Sequence, residues 1–177
     1  MRNSASLILR GIVAICVEAT IMSSFASITL QNIKWSTQAV GSDPRDSKIL
    51  YSLLSVGFFR GEFGPNFESV RNTWIAKHPQ ASLIPVFEYP GTERTPGSKI
   101  VVVWIVDQTE SLNVELVRRG CLAAEYLYAP PSVHLLVTPA QYERFRKMVV
   151  AAQEIAKARR LGIWSKAEQE HNKGTED

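Results

Sequence analysis

The stretch Leu112-Asn113-Val114-Glu115-Leu116-Val117-Arg118-Arg119-Gly120 has the pattern of a short helix with both ends marked. Asn113 is of a residue type that caps helix N-termini, and Glu115 in the first turn complements the helix dipole. Two arginines stand in the last turn, and Gly120 is a typical C-terminal stop. We therefore predict a helix over Val114 to Arg119.

A second, longer helix is predicted towards the C-terminus. Thr138-Pro139-Ala140-Gln141 forms a capping box with proline at the first helical position. The apolar residues that follow share one helix face; they are Phe145, Met148, Val149, Ala152, Ile155 and Ala156. Gly162 is expected to end the helix, so that Ile163 and Trp164 fold back onto the core. Residues 165–177 are expected to form a polar tail.

Towards the N-terminus the pattern indicates strands around one further helix. Leu83 to Tyr89 and Lys99 to Val106 are predicted as a strand pair, the second of them buried on both faces. Pro85 cannot donate to a sheet ladder, so it forces the first strand to an edge or a bulge. Gly64-Pro65 is expected to start a helix that ends at His78-Pro79.

The first sixty residues give weaker signals. Ile49 to Phe59 is an apolar run that favours a buried strand, and residues 36–47 carry enough turn residues to predict a loop. Ile12 to Thr20 and Ser27 to Trp35 favour a pair of strands joined as a hairpin.

Residues 1–30 also allow a second interpretation, a signal or anchor segment. Arg2 and Arg10 precede an apolar run, and Ser24-Phe25-Ala26 resembles a cleavage site. Glu18 ends that run well short of the roughly 20 apolar residues that cross a bilayer, so no transmembrane span is predicted. A cytoplasmic location is favoured, and secretion or membrane anchoring through residues 1–26 stays open.

Composition limits the classes of protein to consider. The chain has 177 residues, of which 45% are hydrophobic and 21% charged, which argues against disorder, collagen and coiled coil and favours one domain over 1–164. A net charge of +3 gives only weak overall attraction to nucleic acid or anionic lipid. Cys16 and Cys121 form no CxxC motif, which argues against metal-thiolate chemistry. Whether they pair is left open.

The order of elements suggests a small β-barrel of the OB type with peripheral helices. The nine residues quoted first, together with the later Ala156-Lys157-x4-Gly162-Ile163-Trp164, resemble the staphylococcal-nuclease (thermonuclease-like) domain family. That family has an LN-x-x-LV-x-x-G helix and an A-K/R-x4-G-I/L-W ending. The resemblance covers Gly64 to Trp164 and implies an α+β, mainly β, fold: a five-stranded OB barrel with three peripheral helices. In active members it implies calcium-assisted cleavage of DNA and RNA.

Such cleavage requires carboxylates that hold calcium and activate water, and arginines that neutralise charge on phosphorus. The resemblance implies a metal-binding hairpin near residues 24–27 and a further catalytic motif near Lys48 to Gly57. No Asp or Glu occurs between Glu18 and Asp43, or between Asp46 and Glu62, so both segments lack anionic oxygen ligands. The usual site is therefore expected to be lost.

Two lysines stand near the positions where the resemblance implies arginines. They are Lys48, before the third strand, and Lys99, in Gly97-Ser98-Lys99. Lysine keeps the positive charge but lacks the planar fork that grips two phosphate oxygens, so it is not expected to restore the reaction.

We therefore predict a catalytically degenerate domain that binds nucleic acid or a protein, with no cofactor and no metal site. The alternative is an active calcium-dependent phosphodiesterase with a rearranged site. In that case a shifted register brings Arg60 and Glu62 into the cleft with Lys48 and Lys99. The oligomeric state is left open.

Four basic residues are candidates for nucleic-acid binding: Lys99, Arg146, Lys157 and Arg160. The last three fall on one side of the final helix, opposite its apolar stripe, where a solvated face is the competing interpretation. His78 and His134 have no ligand partners at close spacing and are predicted to be surface residues. The aromatic residues are expected mainly in the core, with base stacking as an alternative.

Overall fold

The computed structural model describes residues 30–36, 39–53, 64, 66–91, 96–124 and 134–165. Within these ranges the chain has a mixed α+β fold with one six-stranded sheet and three α-helices. The strands are β1 (Lys34–Trp35), β2 (Val40–Ser42), β3 (Ile49–Leu53), β4 (Ser82–Pro90), β5 (Lys99–Asp107) and β6 (Glu110–Ser111). The helices are α1 (Phe67–Lys77), α2 (Leu112–Arg118) and α3 (Pro139–Ala158), with short 3-10 turns at Leu30–Asn32 and Gly162–Trp164.

The sheet follows the order β1-β2-β3-β5-β4, and β6 pairs with the end of β5. Every pairing is antiparallel except β3 with β5, which is parallel. A parallel pair needs a crossover connection, and the chain between these two strands contains α1 and β4. The α+β class is confirmed. In the described ranges the sheet is not closed into the predicted barrel, because β1 and β4 form its two edges.

The strand pair predicted from the apolar pattern is present. β5 has neighbours on both sides and a run of buried residues from Ile100 to Val103, as a strand covered on both faces requires. β4 is an edge strand whose register shifts between Pro85 and Phe87, as the missing proline N–H predicts.

Both long helices are close to their predicted bounds. α1 begins at Phe67, after Asn66, slightly later than the predicted start at Gly64-Pro65, and it ends at His78. α3 begins with the predicted capping box, in which Thr138 Oγ1 accepts the Gln141 amide at 3.2 Å.

The prediction that Asn113 caps α2 is wrong. Ser111 is the N-cap, and Asn113 lies inside the helix with its side chain fully buried. Its Oδ1 accepts the Ile105 amide at 2.9 Å, and its Nδ2 donates to the Val103 carbonyl at 3.2 Å. Asn113 therefore joins α2 to β5 at Val103 and Ile105. The described pairing of β5 with β3 ends at Val103, so Asn113 binds the backbone where that pairing stops.

The prediction of a loop over residues 36–47 is also wrong in part. β2 lies inside that segment and pairs with β3, because long-range pairing outweighs the local turn signals of Gly41 and Ser42. Of the strand predicted over Ile49 to Phe59, the described part ends at Leu53. The hairpin predicted for Ile12 to Trp35 lies mostly outside the described residues, as do the signal segment and residues 166–177.

Candidate functional site

The structure brings together the two lysines that sequence reasoning singled out. β3 and β5 run parallel from Ile49 and Lys99, which are register partners. The Lys99 amide donates to the Lys48 carbonyl at 2.8 Å, so the two lysines are neighbours at the start of this strand pair. Both are exposed. We call this surface the lysine edge.

The turn before Lys48 holds that residue in place. The Asp46 side chain accepts the Lys48 amide at 2.9 Å, and the Asp46 carbonyl accepts the Ile49 amide at 2.9 Å. The Asp43 amide donates to the Ile49 carbonyl at 2.9 Å and closes the connection between β2 and β3. These bonds fix the backbone on both sides of Lys48.

A buried carboxylate braces the same turn, and sequence reasoning missed it. Asp43 Oδ2 accepts the Tyr51 hydroxyl at 2.6 Å and the Arg45 guanidinium at 3.1 Å, and Oδ1 accepts the Arg45 amide at 2.7 Å. The hydrogen bond from the Arg45 side chain is the main reason that the pKa of Asp43 falls to about 2. Burial, followed by the hydrogen bond to Asp43, raises the pKa of Tyr51. The only sequence feature that could have indicated this cluster is Asp43-Pro44-Arg45 in a predicted loop, followed by Tyr51 in a predicted strand.

The lysine edge also carries acidic groups. Lys99 Nζ forms an ion pair with Glu88 of β4 at 2.8 Å, and both side chains are largely exposed. Tyr89 is the register partner of Ile100 and is partly buried, which raises its pKa to about 12. The edge therefore carries two exposed lysines that are joined through their backbones, and one of them is paired with a carboxylate. The Tyr89 ring lies on the other face of the sheet from Lys99, because its register partner is the buried Ile100.

Arg60 and Glu62, the residues of the alternative active site, lie outside the described residues. Within the described ranges no group of three His, Cys, Asp or Glu side chains is placed to hold a metal ion. Cys121 is buried, and its possible partner Cys16 lies outside the described residues.

The basic residues of α3 form a second surface, apart from the lysine edge. Arg146 pairs with Glu143 at 3.1 Å and Lys157 with Glu154 at 3.4 Å. α3 contacts β5 through Phe145 and Trp104, five residues or about 16 Å along the strand from Lys99. The structure does not bring Lys99 into one cluster with Arg146 and Lys157. Arg160 lies just beyond the helix and is exposed.

A groove of about 790 Å³ lies between the three helices. α2 packs against both α1 and α3, whereas those two helices are not packed directly against each other. The apolar side chains along the groove come from all three helices; they are Val70, Trp74, Val114, Met148, Ala151, Ala152 and Ile155. We call it the interhelical groove. The sequence did not predict this groove, because the pattern of one helix indicates which of its faces is buried but not the spacing between that helix and its neighbours.

One end of the interhelical groove is acidic and centres on His78. The His78 ring stacks on Trp74 with centroids 4.1 Å apart, while Nδ1 lies 2.9 Å from Asp107 and Nε2 3.2 Å from Glu110. A neutral imidazole carries one N–H, so only the protonated ring donates both hydrogen bonds. The sequence predicted His78 as a surface residue, but its side chain is only 17% exposed, because Asp107, which is distant in sequence, is adjacent in space. His134 is exposed, as predicted.

The other end of the groove is basic. Glu115 accepts Arg118 at 2.9 Å and Arg119 at 2.7 Å, so one carboxylate is shared by two guanidinium groups. Each guanidinium carries five N–H donors, which leaves donors of both arginines directed towards solvent. This trio has a net charge of +1.

No protein-family model matches the chain, and no curated protein matches it. The resemblance to thermonuclease-like domains therefore rests on the residues quoted above. In the described ranges every helix is too short or too polar to span a bilayer.

Proposed function

We propose that the chain is a thermonuclease-like domain of the OB type that binds single-stranded nucleic acid through its phosphates without cutting it. The observation that carries the proposal is the adjacency of Lys48 and Lys99 at the start of β3 and β5. Both residues stand near positions where the resemblance implies phosphate-binding arginines, although they are far apart in sequence.

The arrangement of the fold supports the family assignment. The sheet path contains five strands, α1 lies between β3 and β4, and the described ranges hold three helices, the number that the resemblance implies. The two motif segments also meet in space, because the Ile163 amide donates to the Gly120 carbonyl at 2.9 Å.

The charges of the lysine edge favour binding over cleavage. An exposed ion pair such as Lys99 with Glu88 contributes little, so a phosphate can replace Glu88 at low cost. Lysine attracts a phosphate as a point charge but does not form the bidentate contact of arginine. The segments in which the family would hold calcium contain no Asp or Glu between Glu18 and Asp43 or between Asp46 and Glu62.

Tyr89 of β4 is not part of this surface. It is the register partner of Ile100, and neighbouring residues of a strand point to opposite faces, so its ring lies on the other face of the sheet from Lys99. The basic side of α3 is not needed for phosphate binding at the lysine edge, since Arg146 and Lys157 already pair with acidic residues of their own helix.

The test measures binding and cleavage of a short fluorescein-labelled single-stranded DNA and the matching RNA, with calcium and with chelator. We expect binding in both conditions, no cleavage, and a loss of about tenfold in affinity in the double variant Lys48→Ala/Lys99→Ala. The matched control is Lys77→Ala, the same change at the end of α1. Lys77 is remote from the lysine edge, because it shortly precedes Ser82 of β4. Ser82 pairs with Val106, at the opposite end of β5 from Lys99.

Three results would overturn the proposal. Calcium-dependent cleavage that is lost in Glu62→Gln would show that the alternative, a rearranged active phosphodiesterase, is correct. Equal affinity of the double variant and Lys77→Ala, or no binding by the wild type, would remove the lysine edge as a nucleic-acid site.

A further inference from the structure

The interhelical groove is lined by apolar side chains of unequal exposure: Ile155 is exposed and Met148 is partly buried, whereas Trp74 and Val114 are buried. Among the described residues the large hydrophobic side chains with the greatest exposure are Val150 at 42%, Ile155 at 41% and Leu161 at 36%. Of these three, only Ile155 lines the groove, together with Trp74 and Met148 from its two walls. The outer face of α2, which presents Val114, forms its floor.

The charges of the groove are separated along its length. Glu110 lines the end near the start of α2, where Lys77 also lies, and Arg118 and Arg119 line the end where α2 finishes. Ser111 and Arg118 are seven residues apart, so the two ends are separated by about 10 Å, or two helical turns. A partner with an apolar middle, an acidic group facing Arg118 and Arg119 and a basic group facing Glu110 complements these charges.

We propose that the interhelical groove binds an amphipathic helix of a partner protein. Its apolar stripe contacts Trp74 and Ile155, an acidic side chain near one end meets Arg118 and Arg119, and a basic side chain near the other end meets Glu110. This is recognition of a helix in a groove, in which residues at i, i+3, i+4 and i+7 are the anchors. The proposal is independent of the lysine edge and of nucleic-acid binding.

Two other occupants fit less well. Nucleic acid is disfavoured because the floor is apolar and one end is acidic. A second copy is disfavoured as the donor of a helix, because the apolar stripes of its α1 and α3 are packed in its own core, through Phe67, Phe145 and Val149.

The test uses a displayed library of peptides of about 15 residues, a length at which isolated helices are marginally stable. Each peptide carries a fixed leucine stripe and randomised charged positions at both ends. We expect selection on the full-length protein to enrich peptides with acidic residues at one end and basic residues at the other. Ile155→Glu should weaken binding of the enriched peptides by at least about tenfold, since it removes a large apolar contact and adds a charge.

Val150→Glu is the matched control, because Val150 has the same exposure on the same helix but lies outside the groove. It should leave peptide affinity within about twofold of the wild type. The double variant Arg118→Gln/Arg119→Gln should bind the leucine stripe but lose the preference for an acidic end. Circular dichroism of each variant checks that it folds.

Three results would overturn the proposal. One is enrichment that does not depend on Ile155, and the second is the absence of any enriched peptide. The third is concentration-dependent self-association in analytical ultracentrifugation that Ile155→Glu abolishes, which would assign the groove to a second copy.

Discussion

Gly120, which follows α2, lies in direct backbone contact with Gly162, which follows α3. A Cβ atom added to Gly162 would lie 2.1 Å from the Gly120 carbonyl oxygen, and one added to Gly120 would lie 2.1 Å from the Leu161 carbonyl oxygen. Both glycines also have positive φ, 69° and 52°. The two glycines of the motif therefore hold the ends of two helices together, where a larger residue has no room.

We expect Gly120→Ala to destabilise the fold by more than Gly97→Ala. Both glycines have φ near 70°, so both variants carry the same left-handed strain of about 1–2 kcal/mol. Only Gly120 meets a backbone atom where the Cβ would stand, whereas Gly97 has open space. Urea unfolding of the two variants measures the difference, and equal losses would contradict the contact.

A second prediction concerns the clamp between Asn113 and β5. Asn113→Ala removes two hydrogen bonds and leaves the Ile105 amide and Val103 carbonyl without that partner in the interior. The cost is expected to be about 2–4 kcal/mol. Asn32→Ala, at an exposed position of the 3-10 turn Leu30–Asn32, is the control and is expected to cost under about 1 kcal/mol. Chemical unfolding of both variants makes the comparison; similar costs would show that Asn113 does not act as a clamp.

The features that could be predicted from the sequence are those in which a residue acts on its own segment of backbone. The capping box at Thr138 and the proline at position 85 act through their own backbone, so α3 and the shifted edge strand β4 were predictable. Asn113 is of a residue type that often caps helices, but its partners in β5 are eight and ten residues away. Whether such a residue caps its own helix or binds a neighbouring strand depends on tertiary packing.

The candidate sites show the same limit. The adjacency of Lys48 and Lys99 depends on the parallel pairing of β3 with β5, which no local pattern in the sequence indicates. The contact of His78 with Asp107 spans 29 positions and carries no local pattern. The interhelical groove is a gap between elements, so no stretch of sequence encodes it.

A third prediction follows from the Asp43 carboxylate. Its pKa is lowered to about 2, chiefly by the Arg45 hydrogen bond, so its ionised form stabilises the folded state. This contribution, on the order of 2 kcal/mol, is complete above about pH 4 and is lost as pH falls towards 2. Asp43→Asn should therefore be less stable than wild type at neutral pH, with the difference shrinking across that range.

The measurement is the free energy of unfolding of both proteins as a function of pH. Arg45→Gln removes the same hydrogen bond and should flatten the same part of the profile. Two outcomes would contradict the assignment: a wild-type free energy of unfolding that does not decline between about pH 4 and pH 2, or a decline of the same size in Asp43→Asn.

A fourth prediction concerns the Cys121 thiol. Burial raises its pKa to about 11, and the residue is 1% exposed, so little reactive thiolate reaches solvent. In a Cys16→Ser background we expect no reaction of the native protein with a thiol reagent, and full labelling of Cys121 in denaturant. Rapid labelling of the native variant would contradict this burial.

The central claim is that Lys48 and Lys99 contact nucleic-acid phosphates. The most direct test is the dependence of single-stranded DNA affinity on salt, measured by fluorescence anisotropy for the wild type and for Lys48→Ala/Lys99→Ala. Each lost phosphate contact lowers the slope of log affinity against log salt by about 0.7, so we predict a slope shallower by about 1.4 in the double variant. Identical slopes would show that these lysines do not contact phosphate and would contradict the account.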